Sequence, residues 1–261
     1  MNGRKLIYVS VLSAIVMVGC FSRRPDRTAF SALEEQVVIP GLEIPECDDS
    51  EDIVTHIGYT ASYNHRTLVP DWVAYELTAD EVDGTWNTSY PFSRDPDVAN
   101  PKASREDYSN SGWDKGHMAP RADMKWSAQA LEESFYFTNV CPQNRSMNSG
   151  AWNRIEMLAR NVAKRYGSVY IVCGPMFGEG EPRTIGKGRV HVPDAFFKAL
   201  LVQNRTGYHA VGFVVKNQPE TSRPREYAVS VDSLEVLIGR DLFPQLPDAT
   251  CEHDFEWSTW N

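Results

Sequence analysis

The sequence predicts an α+β fold: a mainly antiparallel central sheet flanked by helices, with a strand-loop-helix unit on one side. Three observations carry that expectation. Runs rich in β-branched and aromatic residues recur at 59–64, 72–77, 135–140, 168–173, 195–203 and 209–216. Neighbouring runs are joined as hairpins are, 59–64 to 72–77 through a longer loop and 195–203 to 209–216 around Gly207. Two other stretches, 151–166 and 230–239, repeat apolar residues at helical spacing instead. At 261 residues, with 42% hydrophobic and 11% aromatic content, the chain can bury one large core or two small ones.

Taken in order, residues 1–19 read as a signal peptide. Arg4 and Lys5 precede a nearly unbroken apolar run over 6–18, which is too short for the ~20 residues of a membrane-spanning helix. Gly19 stands directly before Cys20. A small residue before a cysteine resembles the bacterial lipoprotein signal, in which the cysteine becomes the lipidated first residue; the alternative is an ordinary secretory leader cut nearby. Either way the protein is exported, and lipidated Cys20 would anchor it to a membrane at the periplasmic or cell surface. Residues 20–50, with Arg23-Arg24-Pro25 and little periodicity, read as a tether, and 51–261 as the folded domain.

An exported compartment permits disulfides. Four cysteines remain after Cys20, and a Cys47–Cys251 bridge would join the ends of the domain, while Cys141 and Cys173 sit in apolar runs as buried thiols. None has zinc-site spacing. Within the domain, 135–140 reads as a buried strand, and Asn148 sits at the mouth of a helix over 151–166, with Trp152, Ile155, Leu158, Ala159 and Val162 on its apolar side. A short strand at 227–229 leads into the second helix, capped by Ser230 or Asp232. The tail from Phe255 to Trp260 either packs on the sheet or lies exposed.

The stretch Asp114-Lys115-Gly116-His117-Met118-Ala119-Pro120-Arg121 carries the chemistry. A glycine beside a histidine lets a ligand approach closely, and Lys115, Arg121 and Arg145 are costly to bury unless an anion compensates them. That combination suits a phosphate. Asp114, Gly116, His117, Ala119 and Pro120, followed by Thr138-Asn139-Val140-Cys141-Pro142-Gln143, Asn148 and Gly150 to Glu156, resemble the DNA/RNA non-specific endonucleases, the ββα-metal or His-Me finger nucleases. The likeness runs from about Tyr59 to Phe243. Lys115 departs from it, standing where the family has arginine.

The resemblance implies a hydrolase that cuts phosphodiester bonds in DNA and RNA without sequence preference, with a ββα active-site unit. It implies His117 as general base, with Glu156 and Asn139 as the other catalytic residues. Asn148 is the protein ligand of one Mg²⁺, for which Mn²⁺ can substitute. Lys115, Arg121 and either Arg94 or Arg105 contact the phosphate. A histidine of ordinary pKa near ~6.5 makes activity fall below about pH 6. Asp114 and Asp123 read as loop braces, Trp152 as core, and His56, His65, His191, His209 and His253 as surface or strand residues. The formal charge of −9 becomes −11 once the leader, with two cations and no acid, is removed. An acidic enzyme meets a polyanion only through a local basic groove. A homodimer is left open. The rival readings are a phosphodiesterase of small phosphate esters and a surface lipoprotein that binds nucleic acid or another ligand without turnover.

Overall fold

The computed structural model describes residues 39–247 and 257–260. The leader, Cys20, Cys251 and His253 lie outside the described residues, as does the first part of the tether. The folded unit begins at Ile39. Residues 39–50, expected to end the tether, join it: Leu42 is fully buried beneath the sheet, and the Glu46 amide donates to the Asp241 carbonyl.

Seven strands form the sheet, all neighbours antiparallel: β1 (Asp52–Thr55), β2 (Thr60–Asn64), β3 (Val69–Thr78), β6 (Ser168–Met176), β9 (Ala195–Asn204), β10 (Gly207–Lys216) and β11 (Ala228–Val229), in that spatial order. β4 (Asp114–His117) and β5 (Val140–Gln143) make a separate antiparallel pair, and β7 (Thr184–Ile185) pairs with β8 (Val190–His191). Helices α1 (Ala79–Val82), α2 (Arg105–Tyr108), α3 (Ala128–Glu133), α4 (Arg145–Met147), α5 (Asn153–Tyr166), α6 (Val231–Ile238) and α7 (Trp257–Trp260) complete the described elements.

Strand side chains alternate between faces, and the sheet therefore sorts its residues into two cores. On β6, Val169, Ile171 and Cys173 face α5 and the β4–β5 pair, while Tyr170 and Val172 face α6. On β9, Phe196, Leu200 and Val202 point to the first side; Phe197, Ala199 and Leu201 point to the second. α5 lays Ile155, Ala159, Val162 and Ala163 on the sheet. Its last turn stops at Gly167, whose φ of +96° suits glycine. α6 starts on the Ser230 cap, whose Oγ accepts from the Ser233 amide. α7 belongs to the α5 side: Trp260 is buried, and the Tyr166 hydroxyl donates to the Thr259 carbonyl.

One predicted strand is not one. Over 135–140 the chain makes a single bridge from Tyr136 to Ser93 and then a 3-10 turn, Phe137–Asn139, and a strand starts only at Val140. The Asn139 side chain takes both backbone groups of Ala119, supplying locally what a ladder would otherwise supply.

Candidate active site

The site grows from the β4–β5 pair, in which Asp114 opposes Gln143 and His117 opposes Val140. Gly116 is required here for a reason other than ligand approach. A Cβ on it would lie 1.9 Å from Gln143 Oε1, because the fully buried Gln143 side chain crosses its face. The glycine makes room for glutamine.

His117 closes β4 with its ring against Phe92 and edge-on to Phe135, centroids 5.1 and 5.2 Å away. Part of the residue is open to solvent, but Nε2 is not, and it meets no hydrogen-bond partner. Burial, aided by the charge of Arg121, pushes the imidazole pKa down to about 4. The following loop is held at each peptide. Trp152 Nε1 donates to the His117 carbonyl at 3.3 Å, Lys198 Nζ and Cys173 Sγ reach the Met118 carbonyl at 3.2 and 3.3 Å, and Asn139 holds Ala119 at 2.8 Å on both sides. Asn139 Nδ2 also donates to the Ser134 carbonyl, and the residue is wholly buried. These bonds tie Asn139 to the histidine loop.

The helix that follows β5 starts earlier than its apolar pattern suggests. Asn144, not Asn148, is the cap: its Oδ1 accepts from the amides of Ser146 and Met147. Asn217 holds that corner by accepting from the Asn144 amide and donating to the Pro142 carbonyl. One π turn, Asn148–Trp152, then joins α4 to α5. Such wide turns are strained insertions that concentrate at functional sites. Gly150 admits the chain at Glu220, whose carbonyl would lie 2.5 Å from an added Cβ and accepts from the Ala151 amide. Relieved of capping, the Asn148 side chain lines a cleft of about 610 Å³ with Phe92, Tyr108, Trp113, Lys115 and Arg145.

Glu156 lies one turn into α5, buried, with its pKa raised to about 7 by desolvation; Lys198 and Arg160 oppose that rise and Asp123 adds to it. Asp123 is the brace its position predicts, fully buried, accepting from Arg160 Nη1 at 2.7 Å and from the Tyr75 hydroxyl at 2.8 Å. Asp114 likewise braces Arg145 at 3.0 Å.

The cations divide. Lys115 lines the cleft with Nζ 5.6 Å from the Phe92 ring and 5.8 Å from Tyr108, and forms no ion pair among the described residues. Arg121 is tied to Asn87 and Thr88 near His117. Arg94 is exposed near Glu106, outside the cleft wall, and Arg105 starts α2. Sequence reading gave no role to Lys198, which is fully buried, to Arg160, half-buried beside Asp123, or to the buried side chain of Gln143, and it misplaced His56. The last was expected at the surface or in a strand, but is buried in the turn between β1 and β2, bonded to Asp95 at 2.7 Å. Trp152, Cys141 and Cys173 are core, and the two cysteines are free thiols. Cys47 is exposed, with a free thiol; its expected partner Cys251 is outside the described residues.

A histidine-bearing strand pair leading into a helix with asparagine and glutamate defines a ββα nuclease-type unit. The chain belongs to the DNA/RNA non-specific endonuclease family, whose model matches residues 42–249. It is 37% identical over 210 residues to mitochondrial nuclease EXOG of Xenopus laevis, covering 73% of this chain and 58% of that protein. It is 33% identical to bovine mitochondrial endonuclease G (72% and 68% covered) and 32% identical to nuclease C1 of Cunninghamella echinulata var. echinulata (80% and 89%). Against the crystal structure of the EndoG/EndoGI complex the TM-score is 0.72 at 28% identity, with 77% of this chain and 89% of the other covered. The chain thus spans less than two thirds of the EXOG relatives' length.

Proposed function

We propose that this protein is an exported, metal-dependent endonuclease that hydrolyses phosphodiester bonds in DNA and RNA with little base preference. The observation that carries the reading is a cationic cleft lined by Asn148, Lys115 and Phe92, with a partly desolvated, neutral His117 packed on that same Phe92 ring. A base must be unprotonated to work, and burial keeps this imidazole so at neutral pH. Since Nε2 is shut away, the proton of the attacking water passes to Nδ1. Phe92, Phe135 and the clamped backbone around Met118 fix the ring for that transfer.

The donors present fit a hard cation. A single neutral amide oxygen, that of Asn148 at the cleft wall, suits Mg²⁺, an ion that keeps most of its waters and shares its shell with phosphate. Asn148 would hold it through the side-chain oxygen, with Mn²⁺ able to replace it, and the ion would neutralise charge on the phosphoryl and leaving oxygens. Glu156, desolvated and poorly compensated, is the carboxylate whose charge such a cation would stabilise. Lys115 contributes a point charge to the phosphate in place of the family's bidentate arginine, and Arg121, whose charge bears on His117, supplies a second.

Export rests on the leader sequence and Gly19-Cys20, with Cys20 the lipid anchor. Fractionation of the wild type against Cys20→Ala tests the anchor; loss of membrane association in the variant is expected, and unchanged partitioning contradicts it. The activity is tested on supercoiled plasmid and single-stranded RNA with Mg²⁺ or chelator. Metal-dependent loss of both substrates is expected. A protein that leaves both intact yet turns over small phosphodiesters, or only binds nucleic acid, would replace this reading with one of its rivals.

A further inference from the structure

Lys198 lies on β9, an inner strand of the sheet, in the alternating row Phe196, Lys198, Leu200, Val202 that faces α5. It is fully buried. A lysine is seldom placed so deep without partners, and these partners are specific. Nζ donates to the Met118 carbonyl at 3.2 Å, which the Cys173 thiol also reaches, and lies 4.7 Å from the ring centre of Trp152. Met118 follows the proposed base, and the indole that carries the cation donates to the carbonyl of that same base.

We propose that Lys198 is a positioning residue, a cation driven through the sheet core that locks the His117–Met118 peptides against Trp152 and so fixes the base relative to the glutamate helix. The proposal rests on the nuclease reading of the site. A purely packing role would not call for a charge: an apolar residue of similar volume would fill the space without the cost of burying a cation. Here its charge also bears on Glu156 and Asp123 from the sheet side, lowering both pKa values against their burial. One side chain thereby touches the loop of the base and the field of the carboxylate. Neither Trp152 nor Cys173 can replace that charge.

The test is steady-state cleavage of plasmid and RNA by the full chain carrying Lys198→Met, which keeps the length of the stem and removes the cation. The expected result is a folded protein with a melting temperature below that of the wild type, because Glu156 and Asp123 lose a compensating charge, with kcat per folded molecule reduced at least tenfold and KM within about twofold. Misplacing a reacting group by about an ångström is enough for a loss of that size. A second reading comes from Lys198→Met combined with Glu156→Gln. If the lysine works through the catalytic constellation, the added loss in the Glu156→Gln background shrinks below about threefold, because coupled groups are not additive. A folded Lys198→Met with kcat within twofold of wild type overturns the proposal, and so does a loss that multiplies undiminished in the double variant. Should Lys198→Met fail to fold, Lys198→Gln, which keeps a donor for the Met118 carbonyl, decides on the same readouts. A wild type inactive on both substrates sinks the nuclease reading instead, and so the two failures are told apart.

Discussion

The two faces of the central sheet are built from the same strands and have opposite characters. The face under α6 is filled by residues such as Trp72, Val172, Leu201, Leu234 and Phe243, and α6 covers it with Val231 and Leu234. The face under α5 is just as closely packed, yet it buries Asp123, Glu156 and Lys198 and the side chains of Asn139 and Gln143. Burying charge is costly where apolar residues would fill the space. The difference teaches which side of the molecule has been shaped by something other than stability. On the α5 side, Asn139 and Lys198 hold the His117 loop, Gln143 crosses Gly116, and Glu156 stands in the first turn of α5.

The comparison breaks first at His117. His117→Ala is expected to lower kcat by about 10² to 10⁴ while leaving the fold intact, the size a positioned base supplies; near-normal turnover in a folded variant would remove the base from the account. The α6 face should behave in the reverse way. Leu234→Ala, a full truncation in the apolar core, is expected to cost about 2–5 kcal/mol of stability, measured by denaturant unfolding, with kcat per folded molecule unchanged. A kcat that fell with it would erase the distinction between the faces.

A subtler separation lies in pH. Glu156 must be ionised to serve a cation, and with its folded value at about 7 the ionised form disappears as pH falls through that region. His117 becomes protonated only around pH 4, being held neutral by burial. The acid limb of the wild-type profile therefore belongs to the glutamate, at a pH below 7 once a cation stabilises its charge. In Glu156→Gln the weak remaining activity should stay level to about pH 5. A fall near pH 6.5, as an ordinary histidine gives, would show that the imidazole is not desolvated in solution. The smallest expected effect is that of Lys115→Arg, which restores a bidentate fork at the cleft wall and should leave kcat/KM equal or modestly higher. A large loss there would mean that the pocket between Phe92 and Tyr108 has been fitted to lysine.

The candidate site was legible so far as the residues proposed for its chemistry are concentrated in two short segments. His117, Asn148 and Glu156 fall in them, and periodicity alone placed the apolar side of α5. The antiparallel sheet was legible from alternation and turn residues, with β9 and β10 found almost to the residue. What escaped was whatever depends on contacts remote in sequence. Asn148 resembled a helix cap until Asn144 was seen to occupy that position, and Gly116 resembled a ligand-approach glycine until Gln143 was seen across it. The run over 135–140 has strand composition, yet Asn139 binds the Ala119 backbone twenty residues away. Lys198 had a signal of its own. A central strand buried on both faces reads as a continuous apolar run, and in Ala195-Phe196-Phe197-Lys198-Ala199-Leu200-Leu201 the lysine interrupts one that has no exposed side to offer it.

The central claim is that the α5 face holds its polar groups for a cation bound at Asn148. The most direct measurement is a Mg²⁺ titration of plasmid cleavage by the wild type and Asn148→Ala, after chelator has removed residual metal. The account predicts no cleavage in chelator, saturable recovery in the wild type, and at least a hundredfold lower rate in Asn148→Ala at the same Mg²⁺ concentration. Cleavage that persists in chelator, or an Asn148→Ala titration that overlays the wild type, would contradict it.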